Sequence, residues 1–258
     1  MPRFLPRPTL GFIQIVRRHF LVWRKTSAAS LVGNLGEPLL YLTGMGYGLG
    51  RFVGDIGSLP YLVFVAAGIL SASSMNTATF EALYGGFTRM TRQNTYHAML
   101  ATPLGVADVV LGEVVWAAVK SLFAGLAIFL VGTLLGAFPG PQAWLALPVV
   151  FLAGLVFGGI GMVVTAISPG YDFFLYYFTL VSTPMFLFCG VFYPVASLPE
   201  GVQTLVAALP LTHVVALIRP LGSGTPPEDV MVHLGALLLF ALTAYPIAVL
   251  LIKRRIIV

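Results

Sequence analysis

Six windows of about twenty apolar residues recur along this sequence, and each is long enough to cross the roughly 30 Å hydrocarbon core of a bilayer as a helix. They run from Leu31 to Leu49, Tyr61 to Phe80, Val106 to Leu135, Trp144 to Ile167, Phe173 to Phe192 and Val232 to Ile252. Of the 258 residues, 58% are hydrophobic and 9% charged. A soluble domain carries about 25% charged residues, so too few remain here to coat a water-soluble globule. The windows predict an all-α, six-span polytopic membrane domain filling residues 1–258, and the even count places both termini on one side.

Charge in the connections sets the expected orientation. Arg3, Arg7, Arg17, Arg18, Arg24 and Lys25 precede the first window, Arg89 and Arg92 follow the second, and Lys253, Arg254 and Arg255 close the chain. The opposite connections hold Arg51 and Arg219 against Asp55, Glu200, Glu228 and Asp229, and Lys120 falls inside the third window. The basic side is expected to face the cytoplasm. The start of the chain does not read as a cleavable signal, because Arg3, Pro6, Arg7 and Pro8 lead into a segment broken by Arg17 and Arg18.

Three segments outside the windows carry a pattern. In residues 9–26, Gln14, Arg17, Arg18, Arg24 and Lys25 gather on one helical sector, opposite Phe12, Ile15, Val16, Phe20 and Trp23. That is an amphipathic helix lying in the cytoplasmic interface. In residues 93–103, Tyr96, Met99 and Leu100 recur at helical spacing after Asn94 and Thr95, which suit a cap. Thr102 and Pro103 suit the cap and first position of the next helix, with Asp108 near its positive end. In residues 193–229, prolines alternate with apolar runs too short to span, which predicts an external re-entrant or interfacial hairpin.

Several chemistries are excluded. No G-x-S-x-G elbow is present, no His, Cys or carboxylate cluster has metal-ligand spacing, and Cys189 is the single cysteine. Glu37, Glu81 and Glu113 fall near the ends of separate windows, so no paired carboxylates are expected, and Lys120 is expected to pair within its own helix or to snorkel. No Walker A loop exists, since Val119 precedes Lys120-Ser121. The chain is therefore expected to be no enzyme, with no cofactor of its own and no nucleic-acid partner. The run Gly44, Gly46, Gly48, Gly50 and the pairs Gly132/Gly136 and Gly154/Gly158 suggest close helix packing.

Two windows hold more than spanning requires. The second carries Ser71, Ser73, Ser74, Asn76, Thr77 and Thr79, and the fifth carries Phe173, Phe174, Tyr176, Tyr177, Phe178, Phe186, Phe188, Phe192 and Tyr193. Hydroxyls facing aromatics suit a path for an amphiphile, with Ser73, Asn76, Thr77, Tyr177, Phe188 and Phe192 as its residues. Interhelical hydrogen bonds for the second window, and lipid contact for the fifth, account for the same composition.

The chain resembles the ABC-2 type exporter permeases, most closely the nodulation-factor exporter (NodJ-like) subfamily. The resemblance rests on Gly33-Asn34 with Glu37-Pro38-Leu39 and Gly44 to Gly50, on Ala66-Ala67-Gly68 through Thr79-Phe80-Glu81, and on Ala98-Met99-Leu100-Ala101-Thr102-Pro103-Leu104 with Leu111-Gly112-Glu113. It continues through Thr183-Pro184-Met185, Gly190-Val191-Phe192-Tyr193-Pro194, Leu209-Pro210-Leu211-Thr212-His213 and Ile218-Arg219-Pro220. His97 stands where the family often has an acidic residue. The resemblance implies a homodimer with a separate ABC ATPase (NodI-like) that binds ATP and Mg. Docking on that ATPase falls to the N-terminal helix with Arg17 and Arg18, and to a coupling helix with Asn94, Thr95, Tyr96, His97, Met99, Leu100, Thr102 and Pro103. The implied activity is export of an amphiphile such as a lipo-oligosaccharide or glycolipid. The rivals are a secondary transporter and a membrane assembly factor without an ATPase.

Overall fold

The computed structural model describes residues 8–25, 27, 36 and 39–256, and helix dominates them. Helix α1 (Phe12–Trp23) comes first, and α2 (residues 39–53) follows, mostly as wide π-turns. The N-terminal part of the first window, with Gly33-Asn34 and Glu37-Pro38, lies outside the described residues. A small hairpin pairs Asp55 with Pro60, turning at Gly57, whose φ of +64° favours glycine. Then come α3 (Tyr61–Arg92), α4 (Thr95–Leu100), α5 (Val106–Leu134), α6 (Pro141–Ile167), α7 (Asp172–Phe188), α8 (Glu200–Ala207), α9 (Pro210–Ser223) and α10 (Val230–Ile256).

Among the described residues, four helices (α3, α5, α6 and α10) are long and apolar enough to cross a membrane, or five if the bent pair α8–α9 counts as one. Two windows depart from expectation. Helix α3 does not stop at Phe80; Glu81–Gly86 and Thr88–Arg92 continue it as π-turns, carrying Glu81 and Arg89 on one unbroken rod. The fifth window closes early, because Cys189 leaves helical geometry and Gly190 takes a φ of +83°.

The 193–229 region is more deeply built in than a surface hairpin. Helices α8 and α9 are bent by 90° at their junction, with Pro210 in the first turn of α9, where a missing N–H leaves no bond unmade. Helix α9 buries Leu211, Val214, Val215, Leu217 and Ile218 against α3, α6 and α10, whereas α8 leaves Leu205 72% exposed. Arg219, expected in an outer loop, sits on α9 with its guanidinium 3.6 Å from the Phe64 ring centre and bonded to the Gly190 carbonyl.

Small residues set the closest approaches. A side chain at Gly154 would collide with the Ala118 backbone, and one at Gly158 would crowd Ala117, so α5 and α6 touch nearly backbone to backbone. In lipid such dispersion contact, rather than escape from water, holds helices together. The other expected glycine contacts divide. Gly46 packs on Leu62 and Gly132 on the Phe138 ring, but Gly44 and Gly48 face open space and Gly136 serves a turn at φ +78°.

Candidate functional site: a groove, a buried charge cluster and an elbow

A groove of about 630 Å³ runs between α3 and α7. On α3, Ile69, Ala72, Ser73, Asn76, Thr77 and Phe80 form one helical face; on α7, Phe178, Ser182 and Phe186 follow at intervals of four. Tyr41 of α2 and Lys120 of α5 complete the lining with Thr183 and Leu187. The polar side chains of α3 are thus sorted by face. Ser71 and Ser74 turn inward and bond carbonyls of their own helix, with Ser121 of α5 donating to the Ser74 carbonyl at 3.1 Å. Ser73, Asn76 and Thr77 open on the groove.

Of the expected aromatic residues, Tyr177, Phe188 and Phe192 do not line this groove. Tyr177 is buried away from the groove, Phe188 is 40% exposed on another face, and Phe192 packs edge-on against Phe186 at 4.9 Å without lining the groove itself. The π-turn at Phe178–Ser182 sets which residues of α7 line up, and it selects the register of Phe178 and Phe186.

Beneath the groove lies a buried charge cluster that overturns the expectation of separate, unpaired carboxylates. Arg89 Nε donates to both oxygens of Glu113, at 3.0 and 3.1 Å, and its terminal nitrogen reaches Glu81 Oε1 at 2.8 Å. Trp116 Nε1 donates to the same Glu81 oxygen at 3.2 Å. Lys120 neither pairs on its own helix nor snorkels; its Nζ bonds Glu81 Oε2 across to α3 at 2.8 Å. His19 of α1 places Nε2 3.2 Å from Glu113 Oε1. Gly85 makes room for this geometry, since a Cβ there would lie 2.6 Å from Glu81 Oε1. Two carboxylates meeting two cations keep the site near neutrality, which burial of Glu81 and Glu113 demands.

Helix α1 is fastened along α5 over its whole length, down to Trp23, whose ring stacks on Phe123 at 4.9 Å. Thr9 donates through its N–H and hydroxyl to Asp108 Oδ1, at 2.6 and 2.9 Å; Ile15 nests over Gly112, where a Cβ would come within 2.7 Å; and His19 meets Glu113. Gln14, Arg17, Arg18, Arg24 and Lys25 stay exposed on the opposite sector. The C-terminus joins the same end of the bundle. Tyr245 donates to the Ala107 carbonyl, and Arg255 caps α6 through the carbonyls of Thr165, Ala166 and Ser168.

The elbow over residues 93–103 is helical from Thr95 to Leu100 and sorts its residues by face. Tyr96 is fully buried, Met99 and Thr95 are buried and Leu100 is half-buried, whereas Asn94, His97, Ala98, Thr102 and Pro103 are exposed. Burial pushes the Tyr96 hydroxyl well above its ordinary pKa. Asn94 turns the chain in the left-handed region at φ 51° and gives α4 no side-chain cap. Thr102 and Pro103 do not start α5. Thr102 Oγ1 closes α4 on the Met99 carbonyl, and α5 begins after Gly105, whose N–H donates to Asp108.

The family model for the ABC-2 type transporter matches residues 11–221, which span α1, the elbow, the groove and α9. This chain is an ABC-2 type transporter protein. The ABC-2 protein is 45% identical over 251 residues to Nodulation protein J of Rhizobium leguminosarum bv. trifolii, covering 97% of this chain and 96% of that one. It is 42% identical to Nodulation protein J of Sinorhizobium fredii over the same shares. Against the inner membrane transport permease YadH of Escherichia coli it is 24% identical, over 93% and 91% of the two chains. It is thus a NodJ-like ABC-2 permease, a transmembrane transport subunit. Sequence reasoning missed the partners of Glu81, Arg89, Glu113, Lys120 and His19; the signal for them was the cost of leaving a charged or polar group alone in lipid.

Proposed function

We propose that this permease exports an amphiphile, such as a lipo-oligosaccharide or glycolipid, across the bacterial inner membrane, as a homodimer driven by a separate NodI-like ABC ATPase. In this reading both termini and the elbow are cytoplasmic, α2 and α7 complete a set of six spans, and α8–α9 form the external re-entrant piece. ATP and Mg belong to the ATPase. The observation that carries the reading is the groove, where Ser73, Asn76 and Thr77 face Phe178 and Phe186 within the apolar depth of the bundle. Hydroxyl and amide groups suit a sugar's hydrogen bonds, and ring faces suit its C–H surface and an acyl chain. The exposed row Asn94, His97 and Ala98, with Arg17 and Arg18, is the docking surface for the ATPase. Tyr96 and Met99 hold that surface rigid from beneath.

The test is reconstitution of the permease with its copurified ATPase in vesicles. Thr77→Val and Phe186→Leu are expected to weaken cargo-stimulated ATP hydrolysis severalfold, since a ring face contributes about 0.5 to 1.5 kcal/mol beyond its area. Wild-type behaviour in both variants removes the groove from the path. A buried charge cluster is also what a proton-driven secondary transporter would need. Transport that survives ATP depletion but collapses with the proton gradient would establish that second reading.

A further inference from the structure

Among the described residues that line the groove, Lys120 alone is charged. It lies midway along α5, where a charge is costly in a spanning helix and commonly marks a functional contact. Its ammonium has three donors, and among the described residues one of them is used, on Glu81 Oε2. Glu81 does not depend on that bond alone, because Arg89 and Trp116 hold its other oxygen. The lysine side chain keeps 19% of its surface exposed and belongs to the same lining as Ser73, Asn76 and Thr77. Ile69, Ala72, Phe186 and Leu187 make other parts of that lining apolar.

We infer that the groove selects its cargo by an anionic group set on Lys120, so that the ligand is an amphiphile combining an apolar chain, neutral hydroxylated parts and a phosphate, sulfate or carboxylate. The inference rests on the groove being the cargo path and adds the charge of what passes through it. Glu81 acts as a positioning residue: it fixes the ammonium toward the groove, and the guanidinium of Arg89 prevents the carboxylate from repelling an arriving anion.

The test uses the full chain in phosphatidylcholine nanodiscs and two photoreactive probes of equal chain length, an alkyl phosphate and an uncharged alkyl glucoside. Labelled α3 and α7 peptides are read by mass spectrometry. The phosphate probe is expected to label the groove about tenfold more strongly than the glucoside, the scale of a charge-assisted hydrogen bond. Lys120→Met should bring the two probes to parity, and Lys120→Arg should keep the preference, which separates lost charge from lost fold. Adding phosphatidylglycerol to the discs tells the sources apart. Competition by it assigns the site to an anionic membrane lipid and overturns cargo selection, whereas persistence of labelling assigns it to a dedicated cargo and upholds the inference. Parity in the wild type, or a preference unchanged in Lys120→Met, overturns it. If neither probe labels the groove, the inference and the path fall together, while copurification of the ATPase from the same cells independently reports whether the permease reading stands.

Discussion

Arg89 is the most consequential single side chain of the charge cluster, because it neutralises two carboxylates at once. Glu113 is 1% exposed and Glu81 7%, so neither can recover solvation by a small movement. Arg89→Met removes every Arg89 bond to both carboxylates and leaves two carboxylates against Lys120 and His19. Breaking a buried ion pair from one side costs about 3 to 5 kcal/mol. The double variant Arg89→Met with Glu113→Leu should regain most of that loss, since Glu81 and Lys120 then remain as a balanced pair and an apolar replacement of a buried pair is often neutral or stabilising. The assay is thermal unfolding of the purified permease in one detergent, followed by tryptophan fluorescence, with Trp116 reporting from within the cluster. The expected order of stability is wild type, then the double variant close behind, then Arg89→Met far below. A single variant as stable as wild type, or a double variant no better than the single, would refute the claim that charge compensation holds this end of the bundle.

Further outcomes follow from other contacts. Gly112→Val should lift α1 from α5 by occupying the space of Ile15, measured as faster proteolysis after Arg17 and Arg18 while α3 to α10 stay intact; equal protection would mean that α1 docks elsewhere. Ala98→Trp, on the exposed row of the elbow, should abolish ATPase copurification with normal membrane insertion, whereas retained copurification would move the docking surface away from α4. Cysteines at Ser197 and Thr225 in a Cys189→Ser background should react with an impermeant thiol reagent in intact cells, and one at Arg254 should not; the reverse pattern inverts the orientation.

What was legible in the sequence was the part written in local periodicity. The apolar windows located α3, α5, α6 and α10, and the charged sector of residues 9–26 located α1 and its outer face. What was not legible depended on partners distant in the chain. Glu81 and Arg89 read as the end of a span because charge usually marks the water line, yet their counter-charges sit on α5, 24 and more positions away. Tyr177 and Phe188 fall outside the lining of the groove because a π-turn between them breaks the 100° increment on which a helical face is drawn. Helix α4, six residues long, carries too few turns for spacing alone to say whether Tyr96 and Met99 face in or out.

The length of α3 gives the molecule a mechanical property. Thr77 in the groove and Arg92 beside the elbow ride on one helix without a break, about 20 Å apart, since its wide turns rise less than the 1.5 Å per residue of an α-helix. A stiff rod pivoting at the Glu81–Arg89 clamp behaves as a first-class lever, so a tilt of about 5° displaces a tip lying about 10 Å from the pivot by nearly 1 Å, with the two tips moving in opposite senses. A push on the elbow would then swing Ser73, Asn76 and Thr77 in the opposite sense, with the cluster of charges as the fulcrum.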